Sequence, residues 1–134
     1  MANFHELIVS ARDAEVLALM LGERRRTPVE AADPLADLLL EARLVPHDEL
    51  PADRIAMNSK VTYEEEPGGE RRSVILVHPI DADAAVGRVS VLSPVGLALL
   101  GRTPGSVVTV NVPSTQALTV RILDAARKLE LRAA

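Results

Sequence analysis

The sequence predicts an α+β protein: a short N-terminal antiparallel helical hairpin followed by a small antiparallel sheet wrapped on one short helix. Three observations carry this prediction. Residues 1–50 hold two apolar stripes at helical spacing, and residues 51–134 hold five β-rich runs punctuated by Pro and Gly. Residues 89–105, VSVLSPVGLALLGRTPG, then pack a strand, a Ser-Pro start signal, a brief apolar helix and a Gly stop into one unit.

The hairpin is read from caps and periodicity. Ser10 can cap a first helix, with Asp13 three residues on and Val16, Leu17, Met20 and Leu21 along one side; Gly22 ends it. A second helix carries Leu35, Leu38, Leu39 and Ala42 at i, i+3, i+4 and i+7, with Asp33 as N-cap and Pro34 at the first helical position. Thr27-Pro28-Val29-Glu30 is a competing capping box, but a start there puts Pro34 inside the helix at a cost of about 3 kcal/mol, so the later start is expected. Each stripe is too short to be stable alone, and the two helices are expected to pack on each other.

A Pro-bearing connector from Val45 to Pro51 divides the chain into 1–50 and 51–134. Strands are expected at Ile55 to Glu64, Arg71 to His78, Gly87 to Leu92, Ser106 to Val112 and Leu118 to Leu123. Pro67-Gly68-Gly69 makes the first hairpin turn, and Pro113-Ser114-Thr115 separates the last two strands. In the helix between them, Ser93 offers its hydroxyl as N-cap, Pro94 takes the first helical position, and Gly101 sits where a left-handed C-cap would go.

Composition narrows the function classes. The 134 residues include no Cys, which removes disulfides, thiolate metal sites and cysteine nucleophiles and suits a reducing, cytoplasmic compartment. No segment reaches the ~18 apolar residues of a membrane span, and MANFHELIVS lacks the basic start of a signal peptide. Net charge is −4, with 5 basic and 10 acidic side chains in residues 1–50 and 10 and 9 in the rest. Neither part has the basic excess of a phosphate-binding surface, and Phe4 and Tyr63 are the only aromatic residues on which bases could stack. Direct nucleic-acid binding is not expected; action through a protein partner is.

Ser90-Val91-Leu92-Ser93-Pro94-Val95-Gly96-Leu97-Ala98-Leu99-Leu100-Gly101 resembles the hallmark of the C-terminal domain of the bacterial Gre transcription factors. With Met57-Asn58-Ser59-Lys60-Val61 as a second motif, the likeness covers nearly the whole chain and points to the Rnk branch of that family, the regulators of nucleoside diphosphate kinase. The resemblance implies an FKBP-like fold for residues 51–134 and RNA polymerase as partner, docked near its secondary channel through the residues around the Ser-Pro step, here Leu92, Ser93 and Pro94. Gre factors commonly place Asp or Asn before Ser-Pro; Leu92 stands there instead, so a polar contact is missing or replaced. Helix capping by Ser93 and Pro94 is the purely structural reading, and the two readings are compatible.

In Gre factors a long coiled coil carries acidic residues at its tip into the polymerase active centre, where they help hold a metal ion for transcript cleavage. Helices of about 11 or 12 residues give an arm of only ~17 Å. At its tip Arg24, Arg25 and Arg26 follow Glu23, which disfavours a divalent cation. Glu30 and Asp33 remain as acidic tip groups, or as a solvated turn with a helix cap at Asp33. The three arginines either meet an acidic surface on a partner or keep the tip soluble.

Enzymatic readings find little support in the residues. An FKBP-type prolyl pocket is walled with aromatic side chains, and residues 51–134 offer Tyr63 alone. His5, His47 and His78 are scattered without ligand spacing, and Ser59, Ser90 and Ser93 lack a G-x-S-x-G setting. No Gly-rich phosphate cradle is present. The run Glu64-Glu65-Glu66 is expected to be a solvated hairpin end. The expectation is a monomeric, cofactor-free, non-enzymatic regulator that binds RNA polymerase and competes with Gre-type factors without stimulating cleavage. The alternative is regulation of nucleoside diphosphate kinase through another protein partner.

Overall fold

The computed structural model describes residues 6–23, 29–66, 68–110 and 117–127, with Val29 and Glu30 described by their backbone alone. Element order is β1 (Ile8–Ser10), α1 (Ala11–Gly22), α2 (Val29–Glu41), β2 (Arg43–Val45), β3 (Ser59–Glu66), β4 (Arg71–Val77), β5 (Arg88–Ser90), α3 (Pro94–Leu99), β6 (Val107–Val110) and β7 (Leu118–Arg127). Short 3-10 turns occupy 47–49, 79–81 and 84–86.

Ser10 caps α1 as expected, its hydroxyl accepting the Asp13 N–H at 3.0 Å. The apolar row of α1 turns Ala14, Leu17 and Met20 into the core. Helix α2 departs from expectation: it starts at Val29, with Pro34 inside it and Asp33 an exposed residue within the helix rather than its cap. The early start brings Ala31 into register with Leu35 and Leu38, all three buried. Pro34 is exposed, so its missing N–H and its ring lie on the solvent side, and burial of the opposite face outweighs the local penalty.

A two-stranded parallel pairing, β1 on β2, closes the base of this arm, with Ile8, Val9 and Ser10 opposite Arg43, Leu44 and Val45. Three-residue strands flanked by helices leave almost no periodic signal, and neither was expected.

The second sheet has the order β5-β4-β3-β7-β6. The pairs β4/β3, β3/β7 and β7/β6 are antiparallel; β5 joins β4 in parallel after a crossover through the turns at 79–81 and 84–86. Strand β3 begins at Ser59 rather than Ile55, for two reasons. Ile55 spends its backbone on the loop after α3, donating to the Arg102 carbonyl and accepting from the Gly101 N–H at 2.9 Å each. Asn58 then adopts φ +70°, which ends the extended run; Asn tolerates that conformation better than most residues. The turn after β3 includes Gly68 and Gly69, both at positive φ. Strand β7 runs on to Arg127, past the expected end at Leu123. Pro67, residues 111–112 and the turn Pro113-Ser114-Thr115 lie outside the described residues.

Val61, Tyr63, Val74, Leu76, Val108, Val110, Val120 and Ile122 point to one face of this sheet, where Leu99 and Leu100 of the α3 region pack on them. Leu17, Leu35 and Leu38 belong to the same apolar cluster, so the core runs continuously from sheet to arm. At the hairpin end of the sheet Glu65 pairs with Arg72 at 2.8 Å, on the same face as Tyr63, and Arg72 also pairs with Glu70 at 3.0 Å; Glu66, on the opposite face, pairs with Arg121 of β7 at 3.0 Å. The acidic run is thus half-buried and paired across strands at the solvent-facing end of the sheet, where such ion pairs add little to stability.

Replacing Pro34 by Ala supplies an N–H for the Glu30 carbonyl at an exposed position. We expect Pro34→Ala to raise unfolding free energy by roughly 1–2 kcal/mol in urea titrations, less than the full helix-interior penalty because the freed backbone gains entropy when unfolded.

Candidate functional site

The Ser-Pro step is held by a local network. Ser93 is extended (φ −71°, ψ 160°), and its hydroxyl accepts the Gly96 N–H at 3.0 Å while donating to the Ser90 carbonyl at 2.7 Å. The Ser90 hydroxyl accepts the Leu92 N–H at 3.0 Å. Pro94 opens α3 at the position where its missing N–H costs nothing. Ser93 and Pro94 are half-buried, whereas Leu92 is only 5% exposed. Ser93 therefore caps the helix and still reaches the surface, with a lone pair to spare.

Gly96 explains why this step must be built with that sequence. A Cβ on it would lie 2.3 Å from the Ser90 carbonyl oxygen and 2.8 Å from the Val91 Cα. Helix α3 thus sits directly on the backbone of the strand that leads into it. Gly101, at φ +82°, ends the α3 region in the left-handed conformation expected of it and lies against Val9 and the Ile8 carbonyl of β1.

Two charged side chains join this region to the arm. The Arg54 guanidinium, 8% exposed, donates through Nη1 to the carbonyls of Glu6 and Gly101. The buried Asp13 carboxylate, in the first turn of α1, accepts the Met57 N–H at 3.1 Å. The motif Met57-Asn58-Ser59 is thereby a structural joint: Ser59, fully buried, accepts the Ala56 N–H at 2.8 Å, and the Asn58 N–H donates to the Leu76 carbonyl. Sequence reading missed Arg54 because one arginine in a loop carries no periodic or motif signal. Nearby, burial pushes the Arg102 guanidinium below its ordinary pKa; Glu41 opposes the shift and Arg54 adds to it. The Arg102 Nε is buried without a hydrogen-bond partner.

The structure separates the other candidate residues. Asp33 is exposed on α2; Arg24, Arg25, Arg26 and the side chain of Glu30 lie outside the described residues, as does His5. His47 sits in the 47–49 turn and His78 at the end of β4. Among the described residues no three His, Asp or Glu side chains converge as metal ligands, and no helix is long and apolar enough to cross a membrane.

Two substitutions test this construction. Gly96→Ala should lower unfolding free energy by about 3 kcal/mol, because the methyl group meets backbone rather than a movable side chain. Arg54→Met should cost about 2 kcal/mol, since the Glu6 and Gly101 carbonyls lose a charged donor. Denaturant titration reads both, and a neutral Arg54→Met would show that the guanidinium contributes nothing to the joint.

Comparison with known proteins gives a consistent answer. Residues 50–127 match the family described as "Transcription elongation factor, GreA/GreB, C-term". The "Regulator of nucleoside diphosphate kinase" of Escherichia coli K12 is 30% identical over 118 residues, covering 88% of this chain and 87% of that protein. The transcription elongation factor GreA of Desulfovibrio desulfuricans is 39% identical over 66 residues, 49% of this chain and 41% of that one. Among solved structures, the prokaryotic transcription elongation factor GreA/GreB from Nitrosomonas europaea superposes with a TM-score of 0.72 at 33% identity, over 90% of this chain and 98% of that chain. Gfh1 of Thermus aquaticus shares the fold at a TM-score of 0.50 and 24% identity, over 90% of this chain and 98% of that one. From the capped Ser93-Pro94 step to the sheet that carries it, the chain belongs to the GreA/GreB family of transcription elongation factors.

Proposed function

We propose that this chain is a non-enzymatic regulator that binds RNA polymerase near the secondary channel through the Ser93–Pro94 face and competes there with Gre-type factors without stimulating transcript cleavage. The observation that carries the reading is the pairing of a Gre-type sheet domain with a short arm. Helices of 12 and 13 residues reach about 18–20 Å. Such an arm favours occupancy over delivery of a metal-holding tip to a distant active centre. The family supplies the partner, and the half-exposed Ser93 and Pro94 supply a rigid contact on it. With a net charge of −4 and a single Tyr in the sheet region, protein contacts explain the action better than contacts to RNA or DNA. Arg24, Arg25 and Arg26 are then candidates for a contact between arm tip and polymerase, acting with Glu30 and Asp33.

A second reading has one observation behind it: the Escherichia coli relative, 30% identical along most of both chains, is named as a regulator of nucleoside diphosphate kinase. Regulation of nucleoside diphosphate kinase would then pass through a different protein partner. The two readings part in a defined mixture. Purified protein should bind core polymerase saturably, be displaced by GreA, and reduce GreA-stimulated cleavage in stalled elongation complexes while producing no cleavage alone. The Arg24/Arg25/Arg26 triple-Ala variant should bind more weakly if the tip contributes. A clear change in purified kinase activity without polymerase, together with no polymerase binding at micromolar concentration, would favour the second reading.

A further inference from the structure

Arg102 stands in the loop after α3 with a rigid backbone and an unused side chain. Its N–H donates to the Leu99 carbonyl at 3.1 Å, and its carbonyl accepts the Ile55 N–H at 2.9 Å. The guanidinium is therefore launched from a fixed point. Its Nε is buried without a hydrogen-bond partner, and no acceptor among the described residues meets the two Nη groups, which stay at the solvent side of this half-buried residue. Buried polar groups in folded proteins are normally paired, and Arg carries five donors to satisfy.

The surroundings have the sign that an anion requires. Burial pushes the Arg102 guanidinium below its ordinary pKa; the Glu41 carboxylate opposes that shift and Arg54 reinforces it. Arg54, only 8% exposed, gives Nη1 to the carbonyls of Glu6 and Gly101, contacts that leave its positive charge uncancelled. Glu41 is exposed at the C-terminal end of α2, and no ion pair joins it to Arg102. With Nε turned inward, the open edge of the guanidinium is the Nη1–Nη2 fork, a planar pair of donors that matches two oxygens of an oxyanion. A doubly charged anion compensates both guanidiniums at once, which a single carboxylate does not. One small anion also needs no basic surface of the extent that nucleic acid demands.

We propose that the Nη edge of Arg102, backed by Arg54, binds a phosphate-type oxyanion, either free phosphate or the phosphoryl group of a small molecule. The bound anion lies where the loop after α3 meets the end of α2, so it stiffens the base of the arm. The site goes beyond the function proposed above and holds whichever protein partner the chain engages.

The test titrates the full chain with inorganic phosphate, or with methyl phosphate as the simplest phosphoryl ester, against sodium chloride at equal ionic strength. Melting temperature and heat of binding are the readouts. The wild-type chain should show a saturable rise in melting temperature with at least one phosphate probe, beyond any effect of chloride. Tighter binding of phosphate marks the free ion as the ligand, tighter binding of the ester marks a phosphoryl group, and both support the site. Arg102→Met should fold, since its apolar stem occupies similar space without an unpaired cation, and should weaken binding by about tenfold or more. Arg102→Lys keeps the charge without the fork and should weaken binding by roughly threefold to tenfold. Glu41→Gln removes the opposing carboxylate and should tighten binding, whereas Arg88→Met, at an exposed position on β5, should leave it unchanged. A wild-type response no larger than that of chloride overturns the proposal. Equal binding by Arg102→Met overturns it as well, because the anion then sits elsewhere.

Discussion

The direction of the arm depends on an exchange of two charged side chains at its base. Asp13 reaches from the first turn of α1 to the backbone before β3, and Arg54 reaches back to the carbonyls of Glu6 and Gly101. Among the described residues both charges are held by peptide groups, Arg54 by two carbonyls and Asp13 by an N–H, which fix both position and angle. Because β1 also hydrogen-bonds Gly101 through the Ile8 N–H, the end of α3, the start of the arm and the loop before β3 converge on one small region. A helical pair with a free hinge would leave its side face undefined relative to the Ser-Pro step. This joint sets that face.

The α3 unit shows how a short motif can do two jobs without conflict. Ser93 uses its donor on Ser90 and an acceptor lone pair on Gly96, Pro94 occupies a position where a proline costs nothing, and Gly96 permits a backbone approach that no side chain would allow. All three residues are required by local geometry, so the motif would be demanded even with no partner present. Its rigidity is what makes it useful as a contact, since little conformational entropy remains to be lost on docking.

Much of this was legible in the sequence, wherever the signal was local. Ser10, the Ser93-Pro94 start, Gly101 and the glycines after β3 each announce themselves through the backbone conformation or hydrogen bond that their residue type favours. The inward rows of the sheet followed from alternation, as with Val108 and Val110. What was not legible depends on partners far along the chain. Pro34 is accepted within α2 because Ala31, Leu35 and Leu38 are buried against other elements, a gain that no local rule counts. The parallel pair β1/β2 is three residues long and has no pattern of its own. Arg54 looks like any surface arginine until the carbonyls of residues 6 and 101 are brought beside it.

The distance in sequence between those partners has a consequence for synthesis on the ribosome. The arm emerges before the sheet, yet the carbonyl of Gly101 that anchors both Ile8 and Arg54 is made nearly a hundred residues after Ile8. Until then the nascent hairpin carries Leu17, Leu35 and Leu38 without the sheet that covers them, and loop closure must bring its base to residue 101 before its direction is set. An element made before the sheet is thus locked in place only after it, and in that interval its apolar row is open to other contacts.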